Sequence, residues 1–161
     1  MEALVLRSPL PGDYGWVIQR HGALYAEEYG FDISFEGLVA RIVADFAQNC
    51  DTARERAWIA ALDGTPVGSV FCVDAGDGVA KLRLLLVEPS ARGHRLGERL
   101  VEECVGFARA AGYRELTLWT QSQLGAARRI YERTGFELVE QEPPSEQFGT
   151  WQASETWRLV L

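Results

Sequence analysis

A loop rich in arginine and glycine, residues 92–97, follows an apolar segment and precedes an amphipathic one. At the start of a helix, backbone N–H groups lack partners and carry a partial positive charge, and Gly93 and Gly97 let an anion come close to the backbone. Arg92 and Arg95 add positive charge at a helix start, where the helix dipole disfavours cations unless an anion is bound. The loop therefore predicts a binding site for a phosphate or a similar anion.

A second group of reactive side chains has helical spacing. His21, Tyr25, Glu28 and Tyr29 stand at i, i+4, i+7 and i+8, so they share one face of a helix predicted over 13–28. If this face lines a pocket, His21 or Glu28 could accept a proton and the tyrosine rings could cover a cation. The alternative interpretation is a solvated helix face.

Composition limits the class of protein. The chain has 161 residues, 47% of them hydrophobic, which is enough for one buried core, and we predict a single domain over 1–161. The net charge of −7 argues against a nucleic-acid partner. No segment has the apolar length of a membrane span and the N-terminus lacks a signal-peptide pattern, so we expect a cytoplasmic protein without membrane contact. The three cysteines are scattered and show no ligand spacing with the two histidines, which predicts free thiols and no metal site.

Hydrophobic periodicity and turn residues predict elements in the order β-α-α-β-β-β-α-β-α-β-β, an α/β chain with a mixed sheet. The predicted helices cover 13–28, 31–49, 96–111 and 124–133. The predicted strands cover 3–6, 57–62, 67–74, 79–87, 116–120, 136–139 and 155–161. The fourth strand is nearly continuous in apolar character, which indicates a central position, whereas the last strand alternates as an edge strand does. The segment 141–149, with two prolines, is expected to be the least structured.

Three segments in this order and spacing carry a resemblance to a known family: the strand 82–87, the loop 92–97 and the run 126–136. The chain resembles the GNAT superfamily of acyl-CoA-dependent N-acetyltransferases over nearly all its length. Residues 20–30 look like the acetyltransferase domains that are fused in bacteria behind MarR-type winged helices. The resemblance implies a GNAT-like α+β fold with a mixed, mainly antiparallel sheet of six to seven strands and about four helices.

The resemblance also implies that acetyl-CoA is the co-substrate and lies where the fourth and fifth strands splay apart. Its pantetheine arm is expected to pair with the backbone of Leu86 and Val87, as an added strand would. Its pyrophosphate is expected on the backbone N–H groups of the loop. The cofactor-binding residues expected in this loop are Arg92, Gly93, His94, Arg95, Leu96, Gly97 and Glu98.

Two residues depart from the family pattern. Arg95 stands where a glycine is usual, and Leu124 stands where an asparagine is frequent. We expect Arg95 to lie in the first helical turn, where a positive φ is not needed, so that its amide can face a phosphate while its side chain leans aside and reaches the same ligand.

The resemblance implies an N-acetyltransferase that acts on a primary amine of a small molecule, an amino acid or a peptide. Tyr131 matches the family's general acid, which protonates the departing thiolate. His21 and Glu28 are the candidates for the general base. The residues expected around the acceptor are Tyr25, Tyr29 and Trp119.

Alternatives remain open for both the residue and the protein. Tyr131 could be a core aromatic that buries its ring and hydrogen-bonds its hydroxyl. The protein could be a non-catalytic acyl-CoA-binding or sensor module, which would keep the anion-binding loop and lack an acceptor pocket. Homodimers are frequent among similar proteins, so a homodimer is a possible assembly.

Overall fold

Residues 3–161 are described by a computed structural model and form four α-helices and nine β-strands. The helices are α1 (Asp13–Tyr29), α2 (Ile33–Asn49), α3 (Leu96–Ala110) and α4 (Gly125–Thr134), and a single 3-10 turn covers Pro89–Ala91. The strands are β1 (Leu4–Arg7), β2 (Arg56–Leu62), β3 (Thr65–Gly76), β4 (Val79–Val87), β5 (Glu115–Gln121), β6 (Glu137–Gln141), β7 (Ser145–Gln147), β8 (Thr150–Gln152) and β9 (Ser154–Val160).

Seven strands form one sheet in the order β1-β2-β3-β4-β5-β9-β6. All neighbours are antiparallel except β4 and β5, which run parallel. Alternate residues of β2 belong to two apolar clusters, Trp58 to one with α3 and α4 and Ile59 to one with α1 and α2. Successive residues of a strand point to opposite faces, so the two helix pairs cover opposite faces of the sheet. The predicted α/β class, its four helices and its mixed sheet with β4 at the centre are confirmed.

The last strand is not at the edge, so that prediction is wrong. β9 lies between β5 and β6, and β6 forms the edge. Of its polar residues, Arg158 is exposed and Thr156 half-buried, while Ser154 and Glu155 are buried and bond to Gln121 and Arg128. A buried polar side chain with bonded partners cannot be told from a solvent-facing one in the sequence.

The segment predicted as least structured, 141–149, contains β7, which pairs with β8 in a hairpin outside the main sheet. Phe148 and Gly149 in its turn have φ values of 54° and 78°. A phenylalanine with positive φ gives no turn signal in a sequence, because glycine, asparagine and aspartate are the residues that usually adopt this conformation. The N–H of Asp32 donates to the Phe148 carbonyl at 2.8 Å, which fixes the hairpin to the start of α2.

The two central strands separate soon after they meet. β4 and β5 pair at Val79 with Glu115, Ala80 with Leu116 and Lys81 with Thr117, and their pairing ends there. Leu84 has a φ of 56°, and the register between β3 and β4 shifts next to it. This bulge bends β4 away from β5. A wedge-shaped gap therefore opens beside the second half of β4.

His21 is buried in the layer formed by α1 and α2. Its ring is 1% exposed and stacks on Tyr25, with centroids 5.6 Å apart. Nδ1 lies 2.7 Å from the Val17 carbonyl, so Nδ1 carries the hydrogen and donates it, while Nε2 has no partner in the described chain. Desolvation lowers the pKa of His21 to about 4. The ring is therefore neutral near pH 7.

This buried ring predicts a loss of stability in acid. The pKa of His21 in the folded chain lies below its ordinary value of 6.5, so the unfolded chain takes up the proton first as the pH falls. The stabilising contribution is complete above about pH 6.5 and falls by about 3 kcal/mol as the pH approaches 4. We expect His21→Asn to lose this dependence, measured as the free energy of unfolding in urea between about pH 7.5 and about pH 4.5.

The control is His94→Asn, because His94 is the only other histidine and is exposed. This variant should keep the pH dependence of the wild-type chain. Parallel curves for His21→Asn and the wild type would contradict the prediction.

Candidate active site

The gap between β4 and β5 opens into two adjoining cavities. The first, the loop groove, has a volume of about 520 Å³ and is lined by the loop before α3 and by α1, β4 and α4, including Glu28, Tyr29, Val87, Arg92, Gly97 and Ile130. The second, the aromatic cavity, has a volume of about 350 Å³ and is lined by α1, α2, β4, β5 and α4, including His21, Phe31, Phe35, Trp119, Tyr131 and Phe148. Tyr25, Leu85 and Ala127 line both. The two cavities therefore meet beside the bulge of β4.

The start of α3 forms one wall of the loop groove. The helix begins at Leu96, so the N–H groups of Leu96, Gly97 and Glu98 have no partner within the helix, and all three residues line the groove. A Cβ added at Gly97 would lie 2.6 Å from Cδ1 of Ile130, at the end of a side chain that would have to move, so α3 packs closely against α4 at this glycine. The predicted anion-binding geometry is present at this helix start.

Arg95 does not adopt the conformation that we expected. It precedes the first turn of α3 as the N-cap residue and has φ 54° and ψ 29°, in the left-handed region. A glycine at this place would take that conformation freely, whereas arginine carries a cost of about 1 kcal/mol. Its guanidinium is 79% exposed and binds Glu98 at 2.5 Å. Arg95 therefore lies at the rim of the loop groove, and the neighbouring His94 is exposed outside it.

Two bidentate ion pairs join α1 to the segment that follows β4. Arg92 donates to the two carboxylate oxygens of Glu28 at 2.6 and 2.8 Å, and Arg20 binds Glu88 at 2.6 to 2.9 Å. Arg92 lowers the pKa of Glu28. Glu28 lines the loop groove and not the aromatic cavity. The carboxylate of Glu28, one of the two predicted bases, is therefore bound to Arg92. It lies on the side of the gap that carries the loop 92–97.

The backbone of β4 alternates between its two neighbours. The N–H of Glu88 donates to the Val67 carbonyl at 2.7 Å, and Leu86 stands opposite Ser69. In an antiparallel ladder, the residue between two such pairs directs its N–H and C=O to the other side. Val87 therefore offers its backbone to the gap, as predicted for a pantetheine contact, while Leu86 faces β3.

Leu85 is a gap residue that sequence reading missed. Its carbonyl accepts a hydrogen bond from the Tyr25 hydroxyl at 3.1 Å, and it lines both cavities. Leu85 lies two residues before Val87, and residues two apart on a strand face the same side, so this spacing would have identified it.

Aromatic rings from four separate parts of the chain form the wall of the aromatic cavity. Tyr25 stacks on Phe35 with centroids 4.9 Å apart and an interplanar angle of 17°, and Phe35 meets Phe148 at 5.0 Å. Phe31 and the 40%-exposed Trp119 complete the wall. Of the residues predicted around the acceptor, Tyr25 and Trp119 lie here. The third predicted residue, Tyr29, lines the loop groove instead.

Three residues of this wall were missed by the sequence reading. Phe31 and Phe35 lie at the start of the helix predicted over 31–49, while Phe148 lies in the hairpin between β7 and β8. Only the contact between the hairpin and α2 brings Phe148 to the others.

Tyr131 lies on α4 at the aromatic cavity, close to where the two cavities meet. It is 5% exposed, and its ring packs 5.7 Å from Phe136 and 6.2 Å from Trp157. No hydrogen bond joins its hydroxyl to a side chain or backbone group of residues 3–161, and the oxygen is not fully buried, so the hydroxyl opens onto the aromatic cavity. Burial raises the pKa of Tyr131 above that of an ordinary tyrosine. The hydroxyl is therefore protonated, and it does not donate its hydrogen to any protein group of the described chain.

A buried carboxylate fixes the helix that carries Tyr131. Glu155 on β9 is 1% exposed and accepts hydrogen bonds from Arg128 at 3.0 Å, Gln141 at 2.8 Å and Trp157 at 3.1 Å. Three donors satisfy the charge that burial would otherwise penalise. Because Arg128 lies on α4, the same contacts hold this helix against the sheet.

The charged groups at the aromatic cavity are cations. Within residues 3–161 no carboxylate lines it, and its titratable side chains are His21, Tyr25, Lys81, Arg83 and Tyr131. The described residues contain no group of three or more histidines, cysteines or acids arranged to hold a metal ion. No helix in this part of the chain is long and apolar enough to cross a membrane.

Solved structures share this fold over nearly the whole chain. The yncA protein of Salmonella typhimurium, an assigned acetyltransferase solved with acetyl-CoA, superposes with a TM-score of 0.79, 18% identity and coverage of 98% of this chain and 94% of that one. A ribosomal-protein-alanine N-acetyltransferase of Brucella melitensis superposes with a TM-score of 0.78 and 15% identity, covering 98% and 99% of the two chains. The GNAT-like fold predicted from the sequence is confirmed.

Sequence comparisons identify relatives of the same kind. The camello protein of Xenopus tropicalis, assigned as an N-acetyltransferase, is 32% identical over 120 residues, which is 70% of this chain and 55% of that protein. The mycothiol acetyltransferase of Beutenbergia cavernae is 27% identical over 154 residues, 86% of this chain and 50% of that enzyme. The chain thus spans about half the length of these two relatives. The model of the acetyltransferase (GNAT) family matches residues 22–136. The chain therefore belongs to the acetyltransferase (GNAT) family.

Proposed function

We propose that this protein transfers an acetyl group from acetyl-CoA to the primary amine of a small molecule, with Tyr131 as the general acid. The observation that carries the proposal is the Tyr131 hydroxyl, which belongs to a buried side chain, is protonated, has no hydrogen-bond partner among residues 3–161 and opens onto the aromatic cavity. A core tyrosine normally satisfies its hydroxyl with a protein partner. A donor kept free of protein partners is what the departing thiolate of a thioester requires.

The loop groove suits the CoA part of the donor. Acetyl-CoA supplies an activated acyl group as a thioester, and the Salmonella relative of this fold contains it. In this chain, Arg92 and the N–H groups of Leu96, Gly97 and Glu98 would hold the pyrophosphate. The outward backbone groups of Val87 would pair with the pantetheine arm, and an N–H of the same strand would polarise the thioester carbonyl.

The aromatic cavity suits the acceptor. It adjoins the loop groove at Leu85 and Tyr25, so an amine bound there would reach the carbonyl carbon of a thioester lying beside β4. Attack by the neutral amine nitrogen would break the carbon–sulfur bond, the Tyr131 hydroxyl would donate its proton to the sulfur, and the proton that the nitrogen loses as the amide forms would return to the Tyr131 oxygen. Nucleophilic attack needs the amine in its neutral form.

We propose that the amine loses its proton before the chemical step, without a carboxylate base. Glu28 is bound to Arg92, and the Nε2 atom of His21 is covered by protein atoms. The low pKa of His21 also makes its ring a weak proton acceptor. The two cations at the aromatic cavity, Lys81 and Arg83, would favour the neutral form of a bound amine by repelling the ammonium form.

The second candidate function is a non-catalytic acyl-CoA sensor. It rests on the resemblance of residues 20–30 to domains fused to MarR-type regulators and on Arg95 in place of a glycine. The aromatic cavity beside Tyr131 favours catalysis, because a sensor has no need of an acceptor pocket. A cytoplasmic location and a homodimer remain predictions of the sequence.

Removal of the Tyr131 hydroxyl tests the acid role. We expect Tyr131→Phe to lower kcat by about a hundredfold, because general acid catalysis typically contributes factors of about 10² to 10⁴. The KM for acetyl-CoA should change by less than about twofold, since only a transition-state interaction is removed. The assay is thiol release during amine acetylation, and the matched control is Tyr113→Phe, whose hydroxyl bonds to the Arg54 carbonyl outside both cavities. Full turnover by Tyr131→Phe would remove the acid role.

The pH profile tests the absence of an enzymatic base. We expect kcat/KM to rise with pH until the amine acceptor is neutral, and to stay high to about pH 10, because the pKa of Tyr131 is raised and its hydroxyl stays protonated. Two acceptors of different basicity should give two different midpoints. A single midpoint near pH 6 to 7 for both acceptors would indicate an ionisable base on the protein instead.

Arg92 and Arg95 should contribute unequally to donor binding. We expect Arg92→Gln to raise the KM for acetyl-CoA by about tenfold, since a charge-assisted contact with phosphate is lost. Arg95→Gln should raise it by less than about threefold, because its guanidinium is 79% exposed at the rim and bound to Glu98. Equal effects of the two substitutions in steady-state titrations would contradict this assignment.

A further inference from the structure

We infer that the acceptor is an amine that also carries a carboxylate or an equivalent acidic group on an apolar body, and that Lys81 and Arg83 bind this acid. The inference rests on the proposed function and names the class of its substrate. The position of these two cations, their partial burial and their lack of counterions among residues 3–161 support this inference.

Both cations line the aromatic cavity, and both also line a neighbouring cavity that contains Asp45 and Asp74. Lys81 is the last residue of β4 that pairs with β5, at the apex of the gap, and Arg83 stands two residues further on. Residues two apart on a strand point to the same face, and both side chains share this cavity with Ile42 of α2. Measured along β4 from Leu85, where the cavities meet, Arg83 is about 7 Å away and Lys81 about 13 Å away. A ligand that spans the cavity would have one end at the reacting centre and the other at these cations.

Neither cation has a counterion in direct contact. Among residues 3–161, no carboxylate oxygen lies within 4.0 Å of Lys81 or Arg83, although arginines elsewhere, such as Arg92 and Arg128, are paired. Burial lowers the pKa of both groups, and the carboxylate of Asp45, on a neighbouring cavity, offsets part of this effect at Arg83. A partly buried, unpaired cation is costly, and an anion bound between two of them would remove that cost.

The residue types at these two positions, one lysine and one arginine, also favour a carboxylate ligand. Lys81 is the only lysine in a chain that has fifteen arginines. A compact ammonium on a flexible stem beside a planar guanidinium supplies point-charge and bidentate contacts to one carboxylate.

The rest of the cavity determines the body of the ligand. Tyr25, Phe31, Phe35 and Phe148 surround the space between the cations and Tyr131 with rings. The volume of about 350 Å³ is near the lower end of the range of about 300–1,000 Å³ for small-molecule sites. An aromatic or branched apolar amine with an acid at its far end fits this combination of size, apolar wall and terminal charge.

The same charges discriminate between the two ends of such a ligand. They attract the acid, and they disfavour an ammonium group in the cavity. A purely cationic polyamine is therefore a poor acceptor, while an amine paired with an acid binds with its nitrogen towards Tyr131.

Matched acceptor pairs test this inference. The first pair is para-(aminomethyl)benzoate with para-methylbenzylamine, and the second is para-(aminomethyl)phenylacetate with para-ethylbenzylamine. In at least one pair, the wild-type protein should acetylate the acid with a kcat/KM at least about tenfold above that of its neutral partner. Lys81→Met and Arg83→Met should each reduce this ratio by about tenfold or more, while Arg99→Gln, which removes an exposed cation of α3, should leave it unchanged.

A second measurement does not depend on turnover. Benzoate should raise the thermal unfolding midpoint of the wild-type protein and should not raise that of Lys81→Met or Arg83→Met. Both variants should fold with a midpoint at or above that of the wild type, because each replaces an unpaired buried cation by an apolar side chain of similar length. If the cations instead served Asp45, then Asp45→Asn and both methionine variants would lower the midpoint and benzoate would have no effect, which would overturn the inference.

Failure of this inference and failure of the proposed function would give different results. Equal or better acetylation of the neutral members, with a ratio that neither methionine variant changes, would overturn the inference and leave the proposed acetyl transfer intact. No acetylation of any of the four amines or of a wider amine library, with acetyl-CoA still bound, would overturn the proposed function and this inference together.

Discussion

The parallel pair β4 and β5 holds together over only three residue pairs, and the whole site depends on where that pairing stops. Beyond it, the bulge at Leu84 turns β4 away and leaves backbone groups of Val87 without a strand partner. Unpaired backbone groups inside a sheet are costly unless a ligand or side chain satisfies them. Tyr25 already satisfies the Leu85 carbonyl, so the protein has closed part of the gap itself and left the remainder for a ligand.

Charge is distributed differently at the two ends of this gap. At the loop groove, Arg92 and Arg95 are bound to Glu28 and Glu98, so an incoming phosphate would share cations that already have partners. At the apex, no carboxylate oxygen of residues 3–161 lies within 4.0 Å of Lys81. A cation that already has a counterion is held in position but binds a further anion less strongly than a cation without one. In the proposed function, the donor end would therefore be organised before binding, and the acceptor end would be selective.

Much of the fold and the anion-binding loop could be predicted from the sequence, because both depend on residues close together along the chain. The apolar run of β4, the loop 92–97 and the periodic face of α3 are local patterns, and each lies where it was predicted. The conformation of Arg95 could not be predicted, because its φ depends on where the helix begins to within one residue. The inner position of β9 could not be predicted, because Glu155 on this strand is buried through donors on α4 and β6, which are distant in sequence, and on Trp157 of β9 itself.

The hairpin of β7 and β8 gives the two halves of the site different freedom to change. The surface that would hold the donor belongs to the main sheet and to two helices in close contact through Gly97, so a change there disturbs the core. Phe148, by contrast, reaches the aromatic cavity from a short appendage that is not hydrogen-bonded into that sheet. Its length and sequence can vary with little effect on the stability of the rest. In evolutionary terms, a chain of this fold with the proposed function could therefore acquire a new acceptor by remodelling one hairpin, while the surface proposed for the donor is inherited unchanged.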